Sequence, residues 1–342
     1  MKKAAASRVI VLLTVLITGM GQALADEVNL YSARKEALIK PLLDKFSEQT
    51  GITVNLVTAS ADALLARLKS EGKLTPADVF ITVDAGSLHR AKAADLFQTI
   101  DSATLNSVIP EQYRDPDGVW YGLSLRARPI MYVKGKLDPA ELTRYEGLSD
   151  GVWKGRICIR SSGNIYNQSL VASMIAANGE VETEQWARGL VANLGRPPSG
   201  GDRDQIKAAA AGECDIAVAN TYYLARMLTD QKDDAQRMAA EKMAIIWPNQ
   251  DDRGTHVNVS GAGVIRYSKN RENAIKLIEF LAGDASQKWY ADVNHEYPVK
   301  PGVEISAMLK SFGEFTADSV NLAALGENNA AAVKLMDRAG WR

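Results

Sequence analysis

Cysteine and histidine are scarce in this chain of 342 residues, which contains two of the former and three of the latter. With only Cys158 and Cys214, the chain cannot be a small disulfide-dense scaffold. His89, His256 and His295 lie far apart and none has metal-ligand spacing with another, so the pattern of a histidine metal site is missing. An excess of one charge is missing too, because 40 basic residues face 41 acidic ones. This balance argues against nucleic acid as a partner.

Long apolar runs are also missing, apart from one at the N-terminus. Two lysines and Arg8 precede the run from Val9 to Met20, and the small residues Ala23 and Ala25 follow it. This order is typical of a secretory signal peptide covering residues 1–25, and the run is too short to span a bilayer. We therefore expect an exported, periplasmic protein of 317 residues, with a formal charge near −4 after loss of three positive charges. That length favours two lobes.

The two cysteines are expected to form a disulfide, because an exported chain matures in an oxidising compartment. The alternative at this point is a pair of buried free thiols. A catalytic cysteine is disfavoured, since no histidine lies near Cys158 or Cys214 in the sequence.

The pattern of apolar residues predicts alternating strands and helices throughout the chain. The predicted strands cover residues 28–31, 52–57, 79–83, 129–133, 156–160 and 215–219. The predicted helices cover residues 36–49, 61–70, 87–96, 167–177, 184–193, 204–211, 224–230, 271–282 and 285–292. The βαβα order of the N-terminal part implies a parallel sheet with right-handed crossovers.

Both lobes are expected to consist of non-contiguous pieces. The first hinge is predicted near residues 124–128. The glycine-rich stretch 255–263 is predicted to return the chain from the second lobe to the first. The resulting division assigns residues 26–123 and 257–305 to the first lobe. The second lobe takes residues 124–256 and 306–342.

Two adjacent tyrosines, Tyr222 and Tyr223, follow the predicted strand 215–219. Asn220 and Thr221 are helix N-cap residues, so both phenols are expected in a first helical turn. The helix dipole at that place makes a phenolate easier to form than in water, and ligands of open α/β sheets bind at this edge. The alternative is that one ring belongs to the core and the other to the surface.

Tyr166 has an equivalent context, since it follows the predicted strand 156–160 and a polar turn. Cys158 precedes Tyr166 by eight residues, as Cys214 precedes Tyr222. A bridge between the cysteines would join two neighbouring strands and bring the three phenols together. Phenolate is a hard oxygen donor that needs a strong cation to stay ionised at neutral pH, which favours ferric iron.

Several motifs resemble the ferric-iron-binding periplasmic proteins of ABC transporters. They are Asn29-Leu-Tyr-Ser-Ala-Arg34, Leu125-Arg-Ala-Arg-Pro129, Arg160-Ser-Ser-Gly-Asn-Ile-Tyr-Asn-Gln-Ser169, Ala219-Asn-Thr-Tyr-Tyr223, Trp247-Pro-Asn-Gln250, Gly254-Thr-His-Val-Asn258 and Ser260-Gly-Ala-Gly263. The resemblance covers essentially the whole mature chain, and the tyrosine motifs are specific to this family.

The resemblance implies an α/β protein of the two-lobe periplasmic binding class (class II), with a mixed sheet and flanking helices in each lobe and a transferrin-like cleft at the hinge. It also implies that Tyr166, Tyr222 and Tyr223 bind Fe(III) as phenolates. Some members add a His-Tyr pair directly after the Tyr-Ser-x-Arg motif, but Lys35 and Glu36 occupy those positions here. The remaining coordination positions are therefore left to Glu36, to water, or to a synergistic anion such as carbonate.

Arginine holds such an anion in members without the His-Tyr pair. Arg34 and Arg126 match family positions that face the site, and a guanidinium fork suits a planar oxyanion. Arg126 is favoured over Arg128, since one of the two should face away. The alternative for Arg34 is a solvated residue in the first turn of a helix.

The expected function is that of the substrate-binding component of a ferric iron ABC importer. It would act as a monomer, without catalysis, and deliver iron to a permease in the inner membrane. One alternative is a binding protein of the same fold for an oxyanion or small organic anion, with the tyrosines as hydrogen-bond donors. A second is an exported hydrolase or transferase, but the sequence contains no motif for a nucleophile–base pair or a carboxylate dyad.

Overall fold

The computed structural model describes residues 26–342, so the predicted signal peptide, residues 1–25, lies outside the described residues. The described part contains ten strands. In chain order they are β1 Glu27–Ser32, β2 Thr53–Thr58, β3 Val79–Thr82, β4 Tyr121–Ala127, β5 Ile130–Val133, β6 Ile157–Cys158, β7 Ile216–Val218, β8 Met243–Ile246, β9 Val257–Val264 and β10 Tyr297–Pro298. They form two separate sheets, and we call the part of the protein built on each sheet a lobe.

The first sheet has six strands in the order β10-β4-β9-β3-β1-β2. Strand β1 pairs in parallel with β2 and β3, as the βαβα pattern predicted. Strand β9 returns from the second lobe and lies antiparallel between β3 and β4. The sheet is therefore mixed, which confirms the expected fold class.

The second sheet has four strands in the order β6-β7-β5-β8. Strands β6 and β7 are parallel, whereas β5 runs antiparallel to β7 and β8. All three residues of β7 are buried, because helices cover both faces of this sheet.

Fourteen α-helices surround the sheets in the described part. They are α1 Lys40–Thr50, α2 Ala61–Glu71, α3 Ala85–Ala93, α4 Ala103–Val108, α5 Ile165–Asn178, α6 Glu180–Ala192, α7 Asp202–Ala210, α8 Thr221–Leu228, α9 Asp234–Glu241, α10 Arg271–Ala282, α11 Asp284–Trp289, α12 Ala307–Lys310, α13 Ala323–Glu327 and α14 Asn329–Arg338. A π-helical turn, Tyr290–Asn294, follows α11. No helix of residues 26–342 has both the length and the apolar character needed to cross a bilayer.

The first predicted helix starts later than expected. Residues 36–38 form a single 3-10 turn, and the α-helix begins only at Lys40. Pro41 sits at the start of this helix, where its missing N–H and fixed φ are tolerated, whereas in a helix beginning at residue 36 it would remove an internal hydrogen bond. The predicted helix 271–282 coincides with α10.

The chain crosses between the sheets at Arg128 and Pro129, close to the expected hinge. Strand β4 continues to Ala127, so residues 124–127 belong to the first sheet and not to the second lobe. The proline lacks an N–H for a strand ladder and restricts the residue before it, which explains the break. The return crossing spans residues 247–256, between β8 and β9.

The third crossing lies further along the chain than the expected division placed it, between residues 305 and 306. Leu309, Leu322 and Leu325 pack in the first core, and only the last part of the chain, including Leu335 and Trp341, packs in the second. Apolar residues alone do not tell which core they enter. Between the two parts, α13 contacts both α3 of the first lobe and α5 of the second.

Cys158 and Cys214 form the expected disulfide. Cys158 ends β6 and Cys214 lies two residues before β7, so the bond joins neighbouring parallel strands across a sequence separation of 56 residues. In the chain-entropy description, a loop of this length lowers the entropy of the unfolded chain enough to stabilise the fold by about 4 kcal/mol.

We therefore predict that Cys158→Ser/Cys214→Ser lowers the free energy of unfolding by about 4 kcal/mol. Urea denaturation of the oxidised protein and of the variant checks this. The protein kept in a reducing agent serves as control and should unfold at the urea concentration of the variant. Equal midpoints for the oxidised protein and the variant would contradict the prediction.

Candidate metal centre

The three tyrosines follow two neighbouring parallel strands. Helix α8 begins three residues after β7 and carries Tyr222 and Tyr223 in its first turn, and α5 carries Tyr166 as its second residue. Because β6 and β7 are parallel, the helices after them start at the same edge of the sheet. The predicted placement of the phenols in first helical turns is confirmed.

The three phenols are close to one another. The hydroxyl oxygens of Tyr222 and Tyr166 are 3.4 Å apart, and the ring centroids of Tyr222 and Tyr223 are 4.2 Å apart. Tyr222 is buried, whereas Tyr223 and Tyr166 are partly accessible. The hydroxyl groups of Tyr222 and Tyr166 are close enough to ligate a single cation, and Tyr223 packs against Tyr222. Neither Tyr222 nor Tyr223 is therefore an isolated core or surface residue.

Burial of the phenols opposes their ionisation. It raises the pKa of Tyr222 well above its usual range, and repulsion by ionised Tyr166 or Tyr223 adds to the shift, while Arg126 counteracts it. Burial is also the main cause that raises the pKa of Tyr223 to about 12. The expectation that helix dipoles make the phenolates easy to form is therefore wrong, because burial outweighs the dipole. Without a cation Tyr222 and Tyr223 stay protonated at neutral pH.

The tyrosines open into a cavity of about 570 Å³ between the lobes. Residues of both lobes line it, and most of the polar ones are charged. The lining consists of Ala33, Arg34, Lys35, Leu38, Val83, Arg126 and Glu296 from the first lobe, with Arg160, Tyr166, Gly201, Asp202, Arg203, Asp204, Lys207, Tyr222, Tyr223, Arg226 and Gln236 from the second.

Arg34 and Arg126 both lie in this wall, but they are not free to face solvent. Each donates from its Nη2 to the carboxylate of Glu296, over 2.9 Å for Arg34 and 3.2 Å for Arg126. Both also donate to the hydroxyl of Ser260. All three charged side chains are at most 4% exposed, so Arg34 is not a solvated residue of a first turn.

Glu296 is the residue that the sequence interpretation missed. Burial by itself would raise the pKa of Glu296, but the adjacent guanidinium groups of Arg126 and Arg34 outweigh burial and lower it to about 2. The sequence holds 41 acidic residues, and no local pattern tells which of them meets two arginines in space. The one available signal is indirect, since two arginines at a buried site require a counter-charge.

The structure does not bring Glu36 to the cavity. Its side chain is exposed, in the 3-10 turn before α1, and the neighbouring Lys35 lines the wall instead. Because Glu36 does not reach the tyrosines, we do not retain it as a metal ligand.

Histidines and acidic clusters offer no second metal site. Among residues 26–342, no group of three or more His, Cys, Asp or Glu side chains is arranged to hold a metal ion. His256 is buried at the crossing, where burial and then Arg128 and Arg253 lower its pKa to about 3, so it is neutral. Asp84 caps α3 by accepting from the N–H of Ser87.

A family model described as bacterial extracellular solute-binding protein matches residues 75–313 of this chain, and a second model of that description matches residues 28–110. Iron uptake protein A1 of Synechocystis sp. is 50% identical over 317 residues, which cover 93% of this chain and 88% of that protein. The Fe(3+)-binding periplasmic protein of Serratia marcescens is 31% identical over 328 residues, covering 95% of this chain and 94% of that one.

Solved structures agree with this similarity. A Trichodesmium protein, solved in complex with iron and citrate ligands, aligns with a TM-score of 0.90 at 51% sequence identity. The alignment covers 92% of this chain and 100% of that one. The expected two-lobe α/β architecture is therefore confirmed at the level of the whole fold.

The ion pairs of Glu296 predict an acid-dependent loss of stability. Because the folded-state pKa lies below the ordinary value of 4.5, the carboxylate stabilises the fold fully above about pH 4.5 and loses this contribution as the pH falls towards 2. The shift corresponds to about 3 kcal/mol. We predict that the difference in unfolding free energy between the natural protein and Glu296→Gln shrinks over this pH range.

Urea denaturation of the metal-free proteins at several values of pH measures this difference. Glu48→Gln, at an exposed carboxylate of α1 in the same lobe, is the matched control and should show no such trend. A difference for Glu296→Gln that stays constant down to pH 3 would show that the arginines do not hold its pKa low.

Proposed function

This chain belongs to the bacterial extracellular solute-binding protein family, and from that premise we propose that it is the ferric-iron-binding component of a periplasmic ABC importer. The named relatives are an iron uptake protein and an Fe(3+)-binding periplasmic protein. The chain acts as a carrier and not as an enzyme. Its partner is a permease in the inner membrane, to which it delivers iron as a monomer.

The convergence of Tyr166, Tyr222 and Tyr223 is the observation that carries this proposal. Three phenolates provide three negative charges, which match the charge of a ferric ion, and phenolate is a hard donor suited to it. Since burial keeps Tyr222 and Tyr223 protonated when no cation is bound, a weakly polarising cation would not displace their protons. The donor set therefore favours Fe(III) over calcium or magnesium, which take carboxylates and carbonyls.

An anion accompanies the iron in this proposal. The cavity is lined by seven basic and three acidic side chains, and Lys35, Arg203 and Arg226 form no ion pair within residues 26–342. Iron and three phenolates together add no net charge, so the excess positive charge remains and favours an anion such as carbonate. Arg34 and Arg126 are the proposed binding residues, since each keeps a buried Nε–H without a partner in the described part of the chain.

Closure of the two lobes would complete the site. The tyrosines stand on the second lobe, whereas Arg34 and Arg126 belong to the first, so the complete wall exists only when the lobes are together. Closing around the ion excludes water and strengthens the electrostatic interactions of the site. It also presents the permease with a surface made by both lobes.

The positive lining supports a second candidate, a binding protein for an oxyanion or small organic anion. In that case the phenols would stay protonated and donate hydrogen bonds to the anion. The two functions predict different absorption spectra for the loaded protein, because a ferric phenolate absorbs visible light and an anion bound by phenols does not.

We predict a broad visible absorption band when the purified mature protein is titrated with ferric citrate, saturating near one iron per chain. Tyr222→Phe/Tyr223→Phe should lose the band, because two of the three phenolate donors are gone. Tyr267→Phe, at an exposed tyrosine of the first lobe, is the matched control and should keep it. A colourless natural protein under these conditions would falsify the iron proposal and favour the anion-binding one.

The anion is tested by competition. In buffer freed of carbonate and other oxyanions, adding bicarbonate should slow the loss of iron to excess EDTA from the natural protein. Arg126→Lys keeps a charge opposite Glu296 but removes the guanidinium fork, and we predict that it abolishes this effect. Arg266→Lys, at the surface of the first lobe, should behave like the natural protein. An equal response of Arg126→Lys to bicarbonate would exclude Arg126 from the anion site.

A further inference from the structure

Arg128 is a fully buried arginine that does not line the metal cavity. Its side chain is 1% exposed, and it lies behind the tyrosines, on the crossing between the lobes. The function proposed above does not use it. A buried guanidinium is costly to desolvate, so its interactions require an explanation.

Four of the five N–H donors of Arg128 have acceptors in the second lobe. Three of these acceptors belong to the segments that carry the tyrosines, and the fourth, Asp202, begins α7. Its Nη2 donates to Asn167 Oδ1 over 2.6 Å and to the carbonyl of Val218 over 3.3 Å. Its Nη1 donates to Asn220 Oδ1 over 2.9 Å and to Asp202 Oδ1 over 3.3 Å. One side chain thus connects the starts of α5, α7 and α8.

These contacts lie next to the phenols in the chain. Asn167 directly follows Tyr166, and Asn220 lies two residues before Tyr222. Asn220 occupies the N-cap position of α8, yet its side chain does not cap that helix and accepts from Arg128 instead. Asn220, a residue type that predicts a helix cap, therefore connects α8 to the same guanidinium group that binds α5.

The main-chain hydrogen bonds of the second sheet constrain the ends of its strands only weakly at this edge. Strand β6 has two residues and pairs with β7 over only two positions, so few ladder hydrogen bonds fix one strand end against the other. The guanidinium group supplies bonds in a rigid planar arrangement just beyond these strand ends.

The main chain of Arg128 is itself held at the crossing. Its N–H donates to the carbonyl of His256 on the return crossing, and its carbonyl accepts from the hydroxyl of Tyr145 over 2.7 Å. The same hydroxyl accepts from the N–H of His256. Arg128 is therefore fixed at both ends, to the crossing by its backbone and to the tyrosine helices by its side chain.

We infer that Arg128 is the positioning residue that sets the distance of Tyr166 from Tyr222 and Tyr223. Through its main chain, Arg128 also fixes these tyrosines relative to the crossing between the lobes. This inference rests on the proposed ferric function. It predicts that loss of the guanidinium fork changes the metal complex itself, and not only the stability of the fold.

The test uses the mature protein loaded from ferric citrate, in two variants. Arg128→Lys keeps the charge opposite Asp202 but cannot reach all four acceptors, and Asn220→Ala releases α8 alone without removing a helix cap. For both, we expect a displaced visible band and a roughly tenfold to hundredfold loss of iron affinity, the range typical of residues that orient metal ligands.

Arg156→Lys is the matched control. Arg156 pairs with Asp215 just before β6 and β7, at the opposite ends of the same two strands. Thermal denaturation of the metal-free proteins is measured in parallel, and the control should keep the band and the affinity of the natural protein. If Arg128→Lys does not unfold cooperatively, Asn220→Ala decides.

A lowered melting temperature with unchanged band and affinity in the variants would overturn the inference, because Arg128 would then only stabilise the fold. A colourless natural protein would overturn the ferric proposal and this inference together. The two failures are distinguishable, since the first needs a coloured natural protein.

Discussion

The parallel pairing of β6 with β7 is the constraint on which the candidate metal centre depends. These strands have only two and three residues, yet they set the direction of the two helices that follow them. Both helices start at one sheet edge, and three phenols from distant parts of the sequence meet there. The disulfide fastens the same two strands. The site is therefore a product of sheet topology as much as of the tyrosines themselves.

Charge burial sets the second constraint. Glu296 neutralises part of the charge on Arg34 and Arg126, and Asp202 does the same for Arg128. Tyr222 and Tyr223 follow a different rule, because burial keeps them neutral in the absence of a cation. The metal-free fold consequently avoids the large cost of burying uncompensated negative charge at these two residues.

The sequence predicted six of the ten strands of the described part, the disulfide and the meeting of the tyrosines, because each depends on local patterns or on the common edge of parallel strands. It did not predict Glu296 or the contacts of Arg128, since these join residues far apart in the chain and leave no periodic signal. The pKa of Tyr222 was misjudged for a related reason. The helix dipole is visible in a sequence, whereas the burial that outweighs it is not. The lobe assignment of residues 306–325 differed because apolar residues do not indicate which of two cores they join.

Helix α13 lies between α3 of the first lobe and α5, the helix that carries Tyr166, of the second. Its Gly326 packs directly against the side chain of His89 on α3. A Cβ at position 326 would overlap that side chain, so the two helices are in close contact. A wide separation of the lobes must therefore part α13 from one of its two neighbours and wet an apolar surface. The C-terminal stretch would thus resist separation of the lobes, through its contact with the helix that carries Tyr166.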